Sequence, residues 1–124
     1  MKIVNPLAKE GEEIAVKYLQ KLGFKIIDRN FRARNTELDI IAIQPSASGE
    51  ATLVFVEVKT RTTELFGTPL EQIAYWKLKS LVKAAEFYKL THKNLPDLMR
   101  IDAISVQYTF RGPVVEHLQN ISGF

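Results

Sequence analysis

The chain has 124 residues, no cysteine and a formal net charge of +3 at pH 7. This length supports one hydrophobic core, so we expect residues 1–124 to form a single domain with one functional site. The absence of cysteine excludes disulfide frameworks, thiolate metal sites and cysteine nucleophiles, and it favours a cytoplasmic protein. A hard cation bound here would need oxygen ligands, as Mg²⁺ and Mn²⁺ do.

Membrane contact is not expected. The N-terminal residues lack the apolar segment of a signal peptide, and apolar runs such as Leu53–Val56 are far shorter than the ~20 residues that span a bilayer. The cations cluster between two predicted strands and along one predicted helix, at Arg29, Arg32, Arg34, Lys77, Lys79, Lys83, Lys89 and Lys93. Such clusters suit a polyanionic partner, although a solvated surface explains them equally well.

The first predicted element is an amphipathic helix from Pro6 to Leu22, which Gly23 ends. Its apolar residues recur at helical spacing, at Leu7, Ile14, Ala15, Tyr18 and Leu22. At about 100° per residue, Glu13 lies opposite the apolar stripe and Glu12 lies at its edge. Glu12 is therefore the acid of this helix that is expected to face inward.

Three strands are predicted next. Residues 24–31 form the first, and TELDIIAIQ (36–44) and ATLVFVEVKTR (51–61) form a hairpin around a polar turn. Both hairpin strands carry apolar residues on both faces. Such strands belong inside a sheet that is covered on both sides, or covered on one side and paired on the other.

A second helix is predicted to open with Pro69 at its first position and to run to about Lys89. Its buried stripe comprises Leu70, Ile73, Ala74, Leu78, Leu81, Val82, Ala85 and Tyr88. The segments LMRIDAISVQY and PVVEHLQNI are then typical of two closing strands. The order αβββαββ predicts an α/β or α+β layered domain.

Polar residues occur where the strand pattern calls for apolar ones. Because strand side chains alternate, Glu57 and Lys59 project together, about 6.5–7 Å apart along the strand. On the neighbouring strand, Asp39 is predicted to share a face with Glu37, Ile41 and Ile43, and the hairpin places Asp39 near Glu57. Two adjacent carboxylates repel each other unless a divalent cation or a shared proton offsets their charge. This arrangement predicts a magnesium site with a lysine close by.

The residues LD (38–39) followed by EVK (57–59) resemble the signature of the PD-(D/E)XK nuclease superfamily. The longer blocks resemble, in the same order, those of the uncharacterised bacterial YraN family: GEEIAVKYLQKLGFKII, NFRARNTELDIIA, LVFVEVKTR, FGTPLEQ and RIDAISV. This resemblance implies a restriction-endonuclease-like mixed β-sheet flanked by helices, in its Holliday-junction-resolvase-like variant.

The same resemblance assigns roles to individual residues. Asp39, Glu57 and the backbone carbonyl of Val58 would bind Mg²⁺ or Mn²⁺. Lys59 would position a water molecule, and Glu12 would supply an additional acid. The helical phase of Glu12 independently agrees with this role.

Two residues depart from the family pattern, since Thr36 replaces a glycine and Leu38 replaces the superfamily proline. Neither change removes a proposed ligand, but Thr36 could alter the entry to the strand. Glu37 is predicted to be solvated or paired with Arg34.

Arg61 and Lys77 are candidate nucleic-acid-binding residues. Arg61 follows the EVK motif on the same strand face and could hold a phosphate, since arginine recognises phosphate bidentately. Lys77 could also reach a phosphate, or its side chain could cover apolar surface.

Five other residues are candidates for the site. Asp102 is predicted to be a buried hydrogen-bond acceptor, and His92 and His117 to lie on the surface, because no histidine has ligand spacing to the acids. Tyr75 and Trp76 could stack on nucleic-acid bases, although core or dimer contacts are the commoner use of such aromatics.

These features predict a metal-dependent endonuclease-like protein that hydrolyses phosphodiester bonds in DNA or structured nucleic acid. Its expected partner is branched or structured DNA, and the analogy with junction-resolving relatives predicts a homodimer. The alternative is a noncatalytic nucleic-acid-binding or assembly module on the same fold. A further possibility is that Glu57 and Lys59 form a purely structural ion pair, since fold does not by itself fix function.

Overall fold

The structure, a computed structural model, describes residues 6–62 and 73–122. Its elements are α1 (Pro6–Lys21), β1 (Lys25–Ala33), β2 (Thr36–Gln44), β3 (Thr52–Arg61), α2 (Tyr75–Thr91), β4 (Leu98–Thr109) and β5 (Gly112–Leu118). Among the described helices, neither is long and apolar enough to cross a membrane.

The five strands form one sheet in the order β1-β2-β3-β4-β5. Strands β3 and β4 are parallel, and the other neighbouring pairs are antiparallel. A parallel pair needs a crossover connection, and α2 lies within the segment that joins β3 to β4. The predicted hairpin of β2 and β3 and the predicted α/β class with a mixed sheet are confirmed, and the arrangement is consistent with a restriction-endonuclease-like fold.

Each face of the sheet is buried by one helix. Helix α1 packs against a core of Ala15, Val16, Leu19, Phe24, Ile40, Ala42, Val54, Val56, Ile104 and Val106. Helix α2 packs against a second core of Leu38, Ile41, Leu53, Phe55, Leu81, Ala84, Ala85, Tyr88 and Ile101. The apolar residues on both faces of β2 and β3 are explained, because these strands lie inside a sheet that is covered on both sides.

Helix α2 begins later than the sequence predicted. Ala74 has an extended backbone (φ −67°, ψ 148°) and caps a helix that starts at Tyr75. The prediction that Ile73 and Ala74 lie within the helix is therefore wrong, and the predicted positions of Pro69 and Leu70 fall outside the described residues. The helix ends at Thr91, within two residues of the predicted end.

The side-chain alternation of β2 breaks beside Asp39. Leu38 belongs to the α2-side core, whereas Ile40, two residues later, belongs to the α1-side core. Opposite this point, Asn30 of β1 has a left-handed backbone (φ 54°), and the pairing with β2 passes from Arg29 to Phe31 without it. The prediction that Glu37, Asp39, Ile41 and Ile43 share one face of β2 is therefore wrong. The irregularity beside Asp39 interrupts the alternation of side chains along the strand.

Candidate functional site

The side chain of Asp39 links β2 to β3 at the point where the backbone pairing of the two strands ends. The paired residues of these strands end at Ile40 and Val56. Immediately beyond them, the backbone N–H of Val58 donates a 2.8 Å hydrogen bond to Oδ2 of Asp39. A side-chain carboxylate thus accepts the hydrogen bond that a backbone carbonyl of β2 would accept in a regular pairing. Asp39 lies beside Glu57, as predicted from the hairpin.

Glu57 is a buried acid with an incomplete set of partners. Only 7% of the residue is exposed, and it follows the buried Phe55 on the α2 side of β3. Its Oε1 lies 3.9 Å from Nζ of Lys77, while its Oε2 is buried and accepts no hydrogen bond from residues 6–62 and 73–122. A buried carboxylate oxygen without a partner is costly, so this atom suits a ligand that carries positive charge or a proton.

The pKa values of both carboxyl groups are raised. Burial raises the pKa of Asp39 from 3.8 to about 8, and the charge of Glu57 adds to the rise against the opposing hydrogen bond from Val58. Burial also raises the pKa of Glu57, while Lys77 and Lys59 oppose that rise. The metal-free pair therefore resists carrying two full negative charges near neutral pH.

Glu12 approaches the pair from α1. Its side chain is 19% exposed and lies 3.9 Å from Nη2 of Arg29, whereas Glu13 is 47% exposed and lies 2.7 Å from the same atom. Burial raises the pKa of Glu12, and Arg29 opposes the rise. The prediction that Glu12 is the inward acid of α1 is confirmed. The preceding residue, Gly11, is buried against Thr60 of β3, where a Cβ atom would collide with the threonine hydroxyl.

Sequence reasoning missed Asn30 and left Glu37 outside this acidic cluster. With its amide oriented to satisfy its neighbours, Asn30 donates to Oε1 of Glu12 at 3.0 Å and to Oε1 of Glu37 at 3.1 Å. Glu37 also pairs with Arg32 at 3.6 Å, so the predicted pairing with Arg34 is wrong. Its charge contributes to the raised pKa of Asp39. The sequence signal that could have identified Asn30 is an asparagine inside a predicted strand. Asparagine tolerates the left-handed backbone that brings its side chain to the acids.

The predicted cations do not share one location. Lys59 is partly buried and acts electrostatically on Glu57, and Lys77 from the first turn of α2 forms the ion pair with that acid. Arg61 is the last residue of β3, two positions beyond Lys59. Lys77 therefore belongs to the acid cluster itself, whereas Arg61 lies at its periphery along the strand.

The donor set suits magnesium or manganese. Within residues 6–62 and 73–122, no three histidine, cysteine, aspartate or glutamate side chains form a metal-binding group by themselves. Asp39 and Glu57 nevertheless supply two carboxylates, one with an unpartnered buried oxygen. In an extended strand the N–H and C=O of one residue point to the same side, so the carbonyl of Val58 faces the side on which its N–H meets Asp39. Mg²⁺ commonly uses one or two carboxylates and retains several waters, so these residues fit it.

Asp102 and His117 form a separate buried network. Asp102 is fully buried and accepts hydrogen bonds from Nε of Arg100 and Nε2 of His117, both at 2.8 Å. Burial alone would raise its pKa, but these bonds lower it below the ordinary value. The predicted acceptor role of Asp102 is confirmed. The surface assignment of His117 is wrong, because its side chain is 6% exposed and its other ring nitrogen lies 3.2 Å from the hydroxyl of Tyr18. His92 is partly exposed.

Sequence comparisons match the chain to uncharacterised proteins. A family profile described as "Uncharacterised protein family UPF0102" matches residues 11–106. A UPF0102 protein of Geobacter metallireducens is 39% identical over 114 residues, covering 92% of this chain and 89% of that protein. Another, from Alkaliphilus oremlandii, is 39% identical over 112 residues, covering 89% of this chain and 92% of that protein. The matched residues 11–106 include every proposed ligand.

One solved structure shows a weaker likeness. Pyrococcus furiosus SfsA in complex with Ca²⁺ aligns with a TM-score of 0.38 and 18% identity, covering 91% of this chain. The chain spans 62% of the length of SfsA. A TM-score of this size supports no conclusion about the function of the chain.

Proposed function

The chain belongs to the UPF0102 family, which is the YraN family, and we propose that it is a divalent-metal-dependent nuclease acting on DNA or structured nucleic acid. One observation carries this proposal. The carboxylates of the partly buried Asp39 and the buried Glu57 meet where the pairing of β2 with β3 ends, and one oxygen of Glu57 has no hydrogen-bond partner among residues 6–62 and 73–122. Lys59 follows Glu57 by two positions and acts on it electrostatically.

Asp39, Glu57 and the carbonyl of Val58 would hold Mg²⁺ or Mn²⁺. When bound, such a cation supplies Lewis acidity and positive charge for phosphodiester hydrolysis. The raised pKa values of the two acids support this assignment, because burial penalises the charged carboxylates and a bound cation would offset that penalty.

The other residues act on the substrate and on water. The reaction consumes one water, forms a new P–O bond, breaks the bond to the leaving oxygen and gives that oxygen a proton. Lys59 is a permanent hydrogen-bond donor, so we assign to it the orientation of the water and the stabilisation of negative charge on the phosphate. Burial raises the pKa of Glu12, and we assign to this acid the exchange of a proton with the water or the leaving oxygen.

A polyanionic substrate is consistent with the charges around the acids. Lys77 belongs to the acid cluster, and Arg61 ends β3 four positions beyond Glu57. We propose that both contact phosphates, that the substrate is branched or structured DNA, and that the active form is a homodimer. Phosphate contacts of this kind position a nucleic acid without reading its sequence.

The test is a cleavage assay on labelled branched, flapped and linear DNA with Mn²⁺, Mg²⁺ or EDTA. We expect cutting by the wild type with either metal and none with EDTA. Lys59→Gln should lower the rate at least a hundredfold, whereas Lys79→Gln, which removes an exposed charge from α2, should leave it unchanged. Equal cutting by wild type and Lys59→Gln would contradict the assignment.

The noncatalytic module remains the competing outcome of this assay. A protein that binds branched DNA tightly but leaves every substrate intact with both metals would be such a module. In that case the acids would serve folding or an assembly partner rather than hydrolysis.

A further inference from the structure

A cavity of about 660 Å³ lies between the turn that joins β1 to β2 and the outer side of α2. Its volume falls within the ~300–1,000 Å³ typical of ligand sites. Its charged lining includes Arg32, Arg34, Lys83 and Glu86, and its apolar lining includes Phe87 and Leu90. We propose that this groove, the α2 groove, binds a single-stranded segment of the nucleic acid whose phosphodiester bond is cut at the acid cluster.

The charge of the α2 groove favours a polyanion. Three cations line it against the single carboxylate of Glu86. Within residues 6–62 and 73–122, neither Arg34 nor Lys83 has a carboxylate within ion-pair distance. Both residues are exposed, so their donors are available to phosphate oxygens.

The apolar lining favours unpaired bases. Phe87 is 49% exposed and Leu90 is 85% exposed, although both lie on a helix that has an extensive core. The ring of Phe87 is supported by Phe31, with 6.3 Å between ring centroids, and its remaining surface lines the groove. An aromatic face among cations is the combination that holds single-stranded nucleic acid, because bases stack on the ring while phosphates meet the charges.

The α2 groove is linked to the acid cluster from both of its walls. Arg32 lines the groove and also pairs with Glu37, whose charge acts on Asp39. On the helix side, Ser80 lines the groove and lies three residues beyond Lys77, about 4.5 Å along the axis at about 1.5 Å per residue and on a neighbouring face of the helix. A strand bound at the acids would therefore be directed toward the groove.

The inference rests on the proposed function for its substrate, but its test does not require cutting. Fluorescence anisotropy would measure binding of labelled single-stranded oligothymidine and of a matched duplex in EDTA. We expect single strand to bind more tightly than duplex. Phe87→Ala should weaken single-strand binding about tenfold. Lys83→Gln should weaken it severalfold and reduce the salt slope by about 0.7.

Two control variants remove a lysine and an aromatic ring that lie outside the α2 groove. Lys79→Gln removes an exposed lysine of α2 that does not line the groove, and Phe110→Ala removes a ring that is 95% exposed at the β4–β5 turn. Arg34→Asn tests the turn, since asparagine tolerates the left-handed backbone there (φ 54°). We expect loss of binding for Arg34→Asn and wild-type binding for both controls.

The inference is overturned if duplex binds as tightly as single strand, if the groove variants bind like wild type, or if the controls lose as much affinity. Failure of the proposed function has a different signature. If the wild type never cuts DNA but Phe87→Ala and Lys83→Gln still lose single-strand binding, the proposed nuclease activity is refuted and the proposed binding role of the α2 groove stands.

Discussion

Replacing Asp39 by asparagine should stabilise the metal-free protein. The amide oxygen of asparagine can still accept the hydrogen bond from Val58, while the buried negative charge and its repulsion with Glu57 disappear. At about 1.4 kcal/mol per pH unit between the ordinary pKa of 3.8 and pH 7, keeping Asp39 protonated costs at most about 4 kcal/mol. Because the residue is only partly buried, we expect a gain of about 1–3 kcal/mol and a rise in Tm of about 3–10 °C.

The sign of the pH dependence follows from the raised pKa. The folded protein holds a proton on Asp39 that the unfolded chain has released, so wild-type stability falls as pH rises from 3.8 to about 8. The advantage of Asp39→Asn should therefore be absent at pH 3.5 and largest above pH 8. Urea unfolding in EDTA across this range measures it, with Asp97→Asn as the control because its side chain is fully exposed. A variant less stable than wild type at pH 8 would refute the reasoning.

Gly11→Ala should lower the free energy of unfolding by about 1–3 kcal/mol and slow cutting, because its Cβ would collide with Thr60 and displace α1. Thermal unfolding and the cleavage assay measure the two effects. Unchanged values would contradict the close contact. Asp102→Asn should lower the free energy of unfolding, measured by calorimetry, by about 3 kcal/mol without altering Mn²⁺ affinity, since it weakens a buried network apart from the acids. Loss of Mn²⁺ binding would instead place Asp102 in the metal centre. Trp76, the one tryptophan, is 70% exposed beside Lys77, so saturating DNA should quench its emission, and an unchanged spectrum would argue against contact there. The Kd for Mn²⁺ should rise about tenfold for each unit by which the pH is lowered below 8, because binding displaces the proton of Asp39. A Kd independent of pH would exclude that displacement.

Periodic patterns predicted the part of the site that lies in regular structure. The helical phase of α1 separated Glu12 from Glu13, and strand alternation placed Glu57 and Lys59 on one side of β3. The hairpin pairing then brought Asp39 to Glu57. Each inference used neighbours that are close in sequence, where backbone geometry fixes the direction of a side chain.

Features that depend on an irregular backbone or on distant segments were not predictable in this way. The left-handed Asn30 breaks the alternation beside Asp39 and draws Glu37 into the cluster. The burial of His117 depends on Asp102 and on Tyr18, which is 99 residues away. No periodicity within β5 carries that information, because the partners come from other elements of the fold.

The most direct test of the central claim is isothermal titration of Mn²⁺ into wild type and into the double variant Asp39→Asn/Glu57→Gln. Both substitutions keep side-chain size and one acceptor oxygen while removing charge, and thermal unfolding can verify that the fold is intact. We predict saturable binding by the wild type and none by the variant. Equal binding by both proteins, or no binding by the wild type, would contradict a metal centre at Asp39 and Glu57.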